Sequence, residues 1–256
     1  MAETRFKLLI LGGTTQGRVL AERLTDNARF DALLSFAGRT SSLQAPALPH
    51  RVGGFGGIAG LVEFLRVGRF DALIDATHPF AARMSVHAVR AAEALQLPLL
   101  RVEQPAWTQR PGDQWQEVDD THAAAHALGP APRRVFLTIG RLEIDAFRSA
   151  PQHHYLARAV DQFELPLPHA RLISARGPFD ESAERALLER EKIEVLVSKN
   201  AGTDSTYAKI AAARALGLPV IMVRRPQPPA AETASSVDAA EAWLARVHEL
   251  SQRRGE

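Results

Sequence analysis

Residues 6–17 read Phe6-Lys7-Leu8-Leu9-Ile10-Leu11-Gly12-Gly13-Thr14-Thr15-Gln16-Gly17. The unbroken apolar run Leu8–Leu11 suits a strand buried on both faces, and it stops at a glycine pair. A helical pattern follows, with Val19, Leu20 and Leu24 on one side. Strand, glycine turn, helix is the opening of a dinucleotide-binding unit. There the free N–H groups and the dipole of the helix start attract a pyrophosphate. Gly12 and Gly17 hold the first and third places of Gly-x-Gly-x-x-Gly, while Thr14 stands at the second. Such a loop alone also suits an α/β protein that binds no nucleotide.

The 256-residue chain has room for one large or two small domains, each with a real core. With 46% hydrophobic and 23% charged residues it has an ordinary globular composition. No apolar run approaches a membrane span, and the first strand follows the N-terminus so closely that no signal peptide is expected. Cysteine is absent, which excludes disulfides, thiolate metal sites and cysteine nucleophiles. A cytoplasmic protein, with no membrane partner, is therefore expected. The formal charge of +2 is too mild to argue for nucleic acid, and no aromatic-basic array accompanies it. Arginine well exceeds lysine, which suits a small carboxylate or phosphate ligand as well as a solvated surface.

Outward from the first loop, residues 31–38 read as a second strand ending in Gly38-Arg39-Thr40-Ser41-Ser42. A dinucleotide fold places the adenosine ribose there, and NAD-binding versions usually carry an acid. Arg39 beside Thr40 and Ser41, with no acid, suits a 2′-phosphate and hence NADP; the alternative is a surface arginine in a loop. The run Gly53-Gly54-Phe55-Gly56-Gly57 puts four glycines in five positions, which suits close approach to a ligand, at Gly54 and Gly56 among others, or a mobile flap. The next strand, Arg69–Ala76, ends in Thr77-His78-Pro79-Phe80, with Pro79 expected in the first turn of the following helix. His78 thus lies at a strand's carboxyl end, where open α/β sheets bind ligands. A strand at 97–102 completes a series of normal domain size.

Residues 103–132 break this rhythm with prolines and tryptophans, then a modest alanine-rich helix. His122 and His126 share a face of it, but without a neighbouring glutamate or a third ligand no metal site is expected. From Arg134 the alternation resumes, with strands near 134–138, 155–160, 170–174, 194–198 and 219–223. Pro226–Pro229 reads as a spacer, and Ser235 with Asp238 as a capping box before the last helix. The division expected is 1–104 for an NADP-binding Rossmann-like domain, 105–132 for a connector and 133–256 for a second, substrate-binding domain. The fold class is α/β, two Rossmann-like domains with mainly parallel sheets and a cleft between them. Arg141, Arg176 and the pair Lys199-Asn200 fall at strand ends of the second half, cations placed as a polyanionic substrate requires. The chain has no Gly-x-x-x-x-Gly-Lys-Ser/Thr and no Gly-x-Ser-x-Gly, which argues against a P-loop kinase and an α/β-hydrolase. Tyr207 and Lys209, two apart, occupy different helical faces and do not form a short-chain-dehydrogenase pair.

Taken together, Gly12–Arg18, Gly53–Gly57, Asp75–Ala81, Thr138–Arg141 and Ser198–Gly202 occur in the same order in precorrin-6A reductases, which this chain resembles from about Leu8 to Pro226. Gln16 departs from the family's frequent glutamate, and Ala201-Gly202-Thr203 departs from its serine- and glycine-rich version. The resemblance implies NADPH-dependent reduction of one double bond of precorrin-6A to give precorrin-6B, in cobalamin (vitamin B12) biosynthesis. The macrocycle's acetate and propionate groups would meet the basic strand ends. On this reading Gly12, Gly13, Thr14, Thr15 and Gly17 hold the pyrophosphate, and Arg39, Thr40 and Ser41 the 2′-phosphate. The 53–57 loop and Thr77-His78 border the nicotinamide. Arg141, Arg176, Lys199, Asn200 and His78 bind the macrocycle, and His78, Lys199 and Tyr207 are the candidates for proton donor. Two alternatives are a cobalt-precorrin-6A reductase and a non-catalytic NADPH sensor. A monomer with no bound metal is expected.

Overall fold

The structure is a computed structural model that describes residues 5–38 and 47–255. The chain begins β1 (Phe6–Leu11), α1 (Thr15–Leu24), β2 (Phe30–Phe36), β3 (His50–Val52), α2 (Gly57–Val67), β4 (Ala72–Asp75), α3 (Ala82–Leu95) and β5 (Leu99–Val102). It continues with β6 (Gln114–Val118), α4 (Thr121–Ala127), β7 (Arg134–Thr138), a 3-10 helix (Arg141–Ser149), β8 (His154–Ala159) and β9 (Ala170–Ser174). Then come α5 (Glu181–Arg190), β10 (Val195–Lys199), a short 3-10 turn (Asp204–Thr206), α6 (Ala208–Ala215), β11 (Pro219–Val223), β12 (Glu232–Ala234) and α7 (Val237–Gly255).

These elements form two compact units, Met1–Pro105 with Gln227–Glu256, and Ala106–Pro226. The first holds a six-stranded sheet in the order β12-β5-β4-β1-β2-β3, every pairing parallel. The second holds the order β6-β11-β10-β7-β8-β9, again parallel throughout. Five strands of each sheet are consecutive in the chain, in the doubly wound Rossmann arrangement. The sixth comes from elsewhere: β12 from the C-terminal part of the chain, and β6 from the segment ahead of β7.

The division therefore differs from the expected boundaries at two places. Within the expected connector, Gln114–Val118 is a full strand of the second sheet. The last helix belongs to the first unit, where Trp243 and Leu244 join the core cluster of Leu8, Ile10 and Leu20. That helix is capped by Ser236, whose Oγ accepts the N–H of Ala239 at 3.1 Å, one residue beyond the Ser235 expected. Burial explains the strong first signal. Leu8 and Ile10 pack into the cluster containing α1 and α7 residues, while Leu9 and Leu11 pack with Leu61 and Leu65 of α2 and Ala88 of α3. A strand covered on both faces needs apolar residues at every position. In the second unit Phe136, Leu196 and Met222 pack with Leu188 of α5 and Ile210 of α6.

Candidate active site

In the first unit the strand order reverses between β1 and β4, and the loops after these strands meet there. Thr14, the residue in the second glycine's place, is the cap of α1. Its Oγ1 accepts the N–H of Gly17 at 3.2 Å and donates to the carbonyl of Ala76 at 2.9 Å, so one hydroxyl ties the helix start to the end of β4. Gly17 is needed for close packing, since a Cβ on it would lie 2.9 Å from the Ala76 Cβ. A Cβ on Gly13 would sit 3.4 Å from the His78 backbone N. Gly13 and Thr15 are exposed, at the positive end of α1.

The β4 loop is fixed from beneath. Asp75, 2% exposed, accepts from the Thr77 N–H at 3.1 Å and the Thr77 hydroxyl at 2.7 Å through the same Oδ1. Arg101 lies beside it, its Nε 3.8 Å from the other Asp75 oxygen, and donates to the Pro229 carbonyl at 3.0 Å. Nδ1 of His78 accepts the Phe80 N–H at 3.2 Å, which leaves Nε2 to carry the proton of the neutral ring. Pro79 belongs to this tight turn, closed by Ala81 N–H donating to the His78 carbonyl at 2.7 Å. The helix starts only at Ala82, later than Pro79 suggested.

The 53–57 loop lies on the other side of β1, at the end of β3. Three strand spacings separate β3 from β4, about 14 Å. The loop and Thr77-His78 are therefore not neighbours in the sheet, as a shared place at the nicotinamide had suggested. Two residues missed in the sequence organise it. The Ser35 carbonyl accepts the Gly12 N–H at 2.9 Å, and its hydroxyl accepts from Arg51 Nη1, also at 2.9 Å. Arg51 further donates to the carbonyls of Gly53 (2.9 Å) and Gly54 (3.0 Å), and its guanidinium lies 4.2 Å from the Phe55 ring centroid. Gly56 and Gly57 hold φ values of 79° and 89°, which favour glycine, whereas Gly54 simply has open space where a Cβ would stand. Arg39, Thr40 and Ser41 lie outside the described residues.

In the second unit the order reverses between β7 and β10, which places Arg141 and Lys199-Asn200 at the same edge. Lys199 Nζ donates to Glu143 Oε1 at 2.9 Å. The exposed Arg141 lies over the Phe163 ring, 5.1 Å from its centroid. The exposed Arg176 follows β9, and its loop reaches the β10 side through Phe179 N–H donating to the Ser205 carbonyl at 3.1 Å. Two of the expected site residues have their polar atoms engaged within the unit. Asn200 is 7% exposed, accepts the Trp107 N–H at 2.7 Å and donates to the Trp107 carbonyl at 2.9 Å, so its amide clamps backbone. The Tyr207 hydroxyl accepts from Arg214, which Asp113 holds at 2.8 Å, and its ring stacks edge-on against Trp107.

A further charged group lies beside this edge. Arg158, at the end of β8, makes a two-pronged buried pair with Glu184 of α5 and stacks 3.7 Å from the Phe179 ring centroid. Lys209, in the first turn of α6, is 5% exposed, with Nζ 5.3 Å from the Trp107 ring centroid. Burial first, then Arg158, push its ammonium down to about 7, against a partial opposing effect of Glu184. Lys209 was invisible as a site residue because α6 is alanine-rich, and a lysine in such a helix reads as solvent-facing.

Comparison with known proteins adds a second line of support. The profile of the family described as Precorrin-6x reductase CbiJ/CobK matches residues 7–245. The precorrin-6A reductase of Rhodobacter capsulatus is 48% identical over 241 residues, which cover 93% of this chain and 96% of that one. A solved structure titled CobK precorrin-6A reductase superposes with a TM-score of 0.89 at 48% identity, covering 94% of this chain and 96% of its own. A cobalt-precorrin-6A reductase of Priestia megaterium is more distant, 27% identical over 236 residues, 86% of this chain and 91% of that one. Among the described residues no helix is long and apolar enough to cross a membrane.

Proposed function

This chain belongs to the precorrin-6x reductase family; it reduces precorrin-6A in cobalamin biosynthesis, and we propose that NADPH, held by the first unit, is the reductant. The observation that carries this reading is the crossing of the β1 and β4 loops, locked by Thr14 and backed by the start of α1. The residues present suit a dinucleotide. The start of α1 offers free N–H groups suited to an anion, and the open backbone at Gly54 leaves space for a ligand to lie against it. When bound, NADPH supplies the hydride. Gly12, Gly13, Thr14, Thr15 and Gly17 hold the pyrophosphate, and Arg39, Thr40 and Ser41 select the 2′-phosphate. By sheet order the 53–57 loop serves the adenosine half and Thr77-His78 the nicotinamide half.

The second unit holds the macrocycle's carboxylates through Arg141, Arg176 and Lys199. Asn200 contributes by fixing the chain at Trp107 beside Lys199. The protein's task is to bind and orient the two reactants and to supply a proton next to the hydride-accepting carbon. The metal-free macrocycle is preferred over the cobalt complex because identity is 48% to the first kind of reductase and 27% to the second. We place the reaction in the cytoplasm and in a single chain, with no nucleic-acid or membrane partner. Mixing protein and NADPH with precorrin-6A tests it. Absorbance of the reduced nicotinamide should fall only when the macrocycle is present, and faster with NADPH than with NADH. Binding of NADPH with no turnover would favour the sensor reading.

A further inference from the structure

Five side chains gather at and beside the carboxyl edge of the second sheet: Arg158, Glu184, Lys199, Glu143 and Lys209. Arg158 takes both oxygens of Glu184, and Lys199 holds Glu143. Within this group the two carboxylates are thus each matched to a cation, and the charge left over is the ammonium of Lys209. It is enclosed at 5% exposure under the Trp107 ring, in the first turn after the loop that carries Lys199 and Asn200. An unmatched ammonium in such a place is costly to keep charged. Two states resolve the cost: loss of the proton, or arrival of an anion.

We propose that Lys209 is the proton donor of the reduction, an inference that rests on the function proposed above. The hydride adds with its electron pair to one carbon of the double bond. The neighbouring carbon forms its new C–H bond with the proton released by the Lys209 ammonium, whose N–H bond breaks. The neutral amine then takes a proton from water. The macrocycle gains two electrons in all, and the nicotinamide loses them. Lys199 is less suited to this step because its ammonium is already engaged by Glu143, and the Tyr207 hydroxyl is occupied by Arg214. The groups that set the proton affinity of Lys209 are Arg158 on β8, Lys199 on β10 and Glu184 on α5. Burial and the two cations lower it and Glu184 raises it, so the ammonium releases its proton near neutral pH.

Two measurements test the proposal. The first is an NMR titration of the lysine amino groups in the wild-type protein without substrate, with Lys209→Met and Lys209→Arg for assignment. One amine should titrate near neutrality and vanish in both variants; lysines that all titrate in the ordinary alkaline range overturn the proposal even if neither variant folds. The second is the pH dependence of kcat. Wild-type kcat should fall as pH rises through neutrality. Both variants should lose about 100-fold in kcat together with that inflection, while KM for NADPH stays within about threefold. Variants that keep wild-type kcat and its inflection overturn the role of Lys209 alone. Wild-type protein that turns over no precorrin-6A instead refutes the functional reading, whatever the titration shows.

Discussion

The Thr14 hydroxyl donates to the carbonyl of Ala76, 62 positions away, at 2.9 Å. The same oxygen accepts the N–H of Gly17, so the start of α1 and the loop that bears His78 are fixed by one atom. In the Gly-x-Gly-x-x-Gly pattern the second glycine admits the ligand; here a threonine at that place holds the two loops in register instead. Thr14→Val keeps the shape and removes both bonds. Its stability should drop by about 1 kcal/mol, NADPH affinity should fall with it, and Thr14→Ser should restore both. Chemical denaturation and a fluorescence titration with NADPH check this; a valine variant with unchanged affinity separates the hydroxyl from the cofactor site.

The glycine loop after β3 gives a cleaner test, because Gly54 meets no protein atom within 4 Å of a Cβ and does not require a positive φ. Gly54→Ala should therefore fold as stably as wild type, within about 0.5 kcal/mol. If the backbone there faces the cofactor, the dissociation constant for NADPH should rise about fivefold or more, roughly 1 kcal/mol of lost binding. An unchanged constant would remove this loop from the site.

Arg39 lies outside the described residues, and its role rests on its position after the second strand. Arg39→Ala should raise KM for NADPH much more than KM for NADH, since only the former carries the 2′-phosphate. Steady-state kinetics with both coenzymes decide it, and equal effects would assign the phosphate to another cation, with Arg51 the first to examine.

Lys209 also links stability to pH. Its affinity for protons is depressed in the folded chain, to about 7 from an ordinary 10.5. Between those values the unfolded chain binds more protons than the folded one, so this residue makes the fold more stable as pH rises. Below about 7 both forms are protonated and the contribution is flat. From about pH 7 to pH 9 the wild-type unfolding free energy should gain about 1 kcal/mol per pH unit on that of Lys209→Met. Identical pH dependence in the two proteins would show that the amine is not held in this environment.

The outline of the fold was legible in the sequence where strands are buried on both faces. Leu8–Leu11 and Val195–Val197 carry no polar residue, and such runs between glycine turns and amphipathic helices point to parallel sheets. The edge strands β12 and β6 were not legible. Glu232–Ala234 has three residues, and Gln114–Val118 leaves most of its side chains to solvent, so neither shows a strong pattern. The return of the last helix to the first unit was hidden for a related reason. Trp243 and Leu244 mark an apolar face but do not say which sheet it covers. At the site, loop glycines and strand-end cations stood out by type and position. Arg51, Ser35 and Lys209 did not, because their roles arise from partners far away in the chain. Asn200 and Tyr207 stood out by residue type, but the partners of their polar atoms, Trp107 and Arg214, could not be read from the sequence.

The reductant and the route of its hydrogen are tested most directly by one turnover with NADPH carrying deuterium on the transferring carbon, followed by mass spectrometry of the macrocycle. A product that gains a single deuterium in ordinary water, with its second new hydrogen drawn from solvent in the reciprocal experiment in heavy water, is the expected result. A reduced macrocycle with no deuterium from the coenzyme would contradict hydride transfer from NADPH.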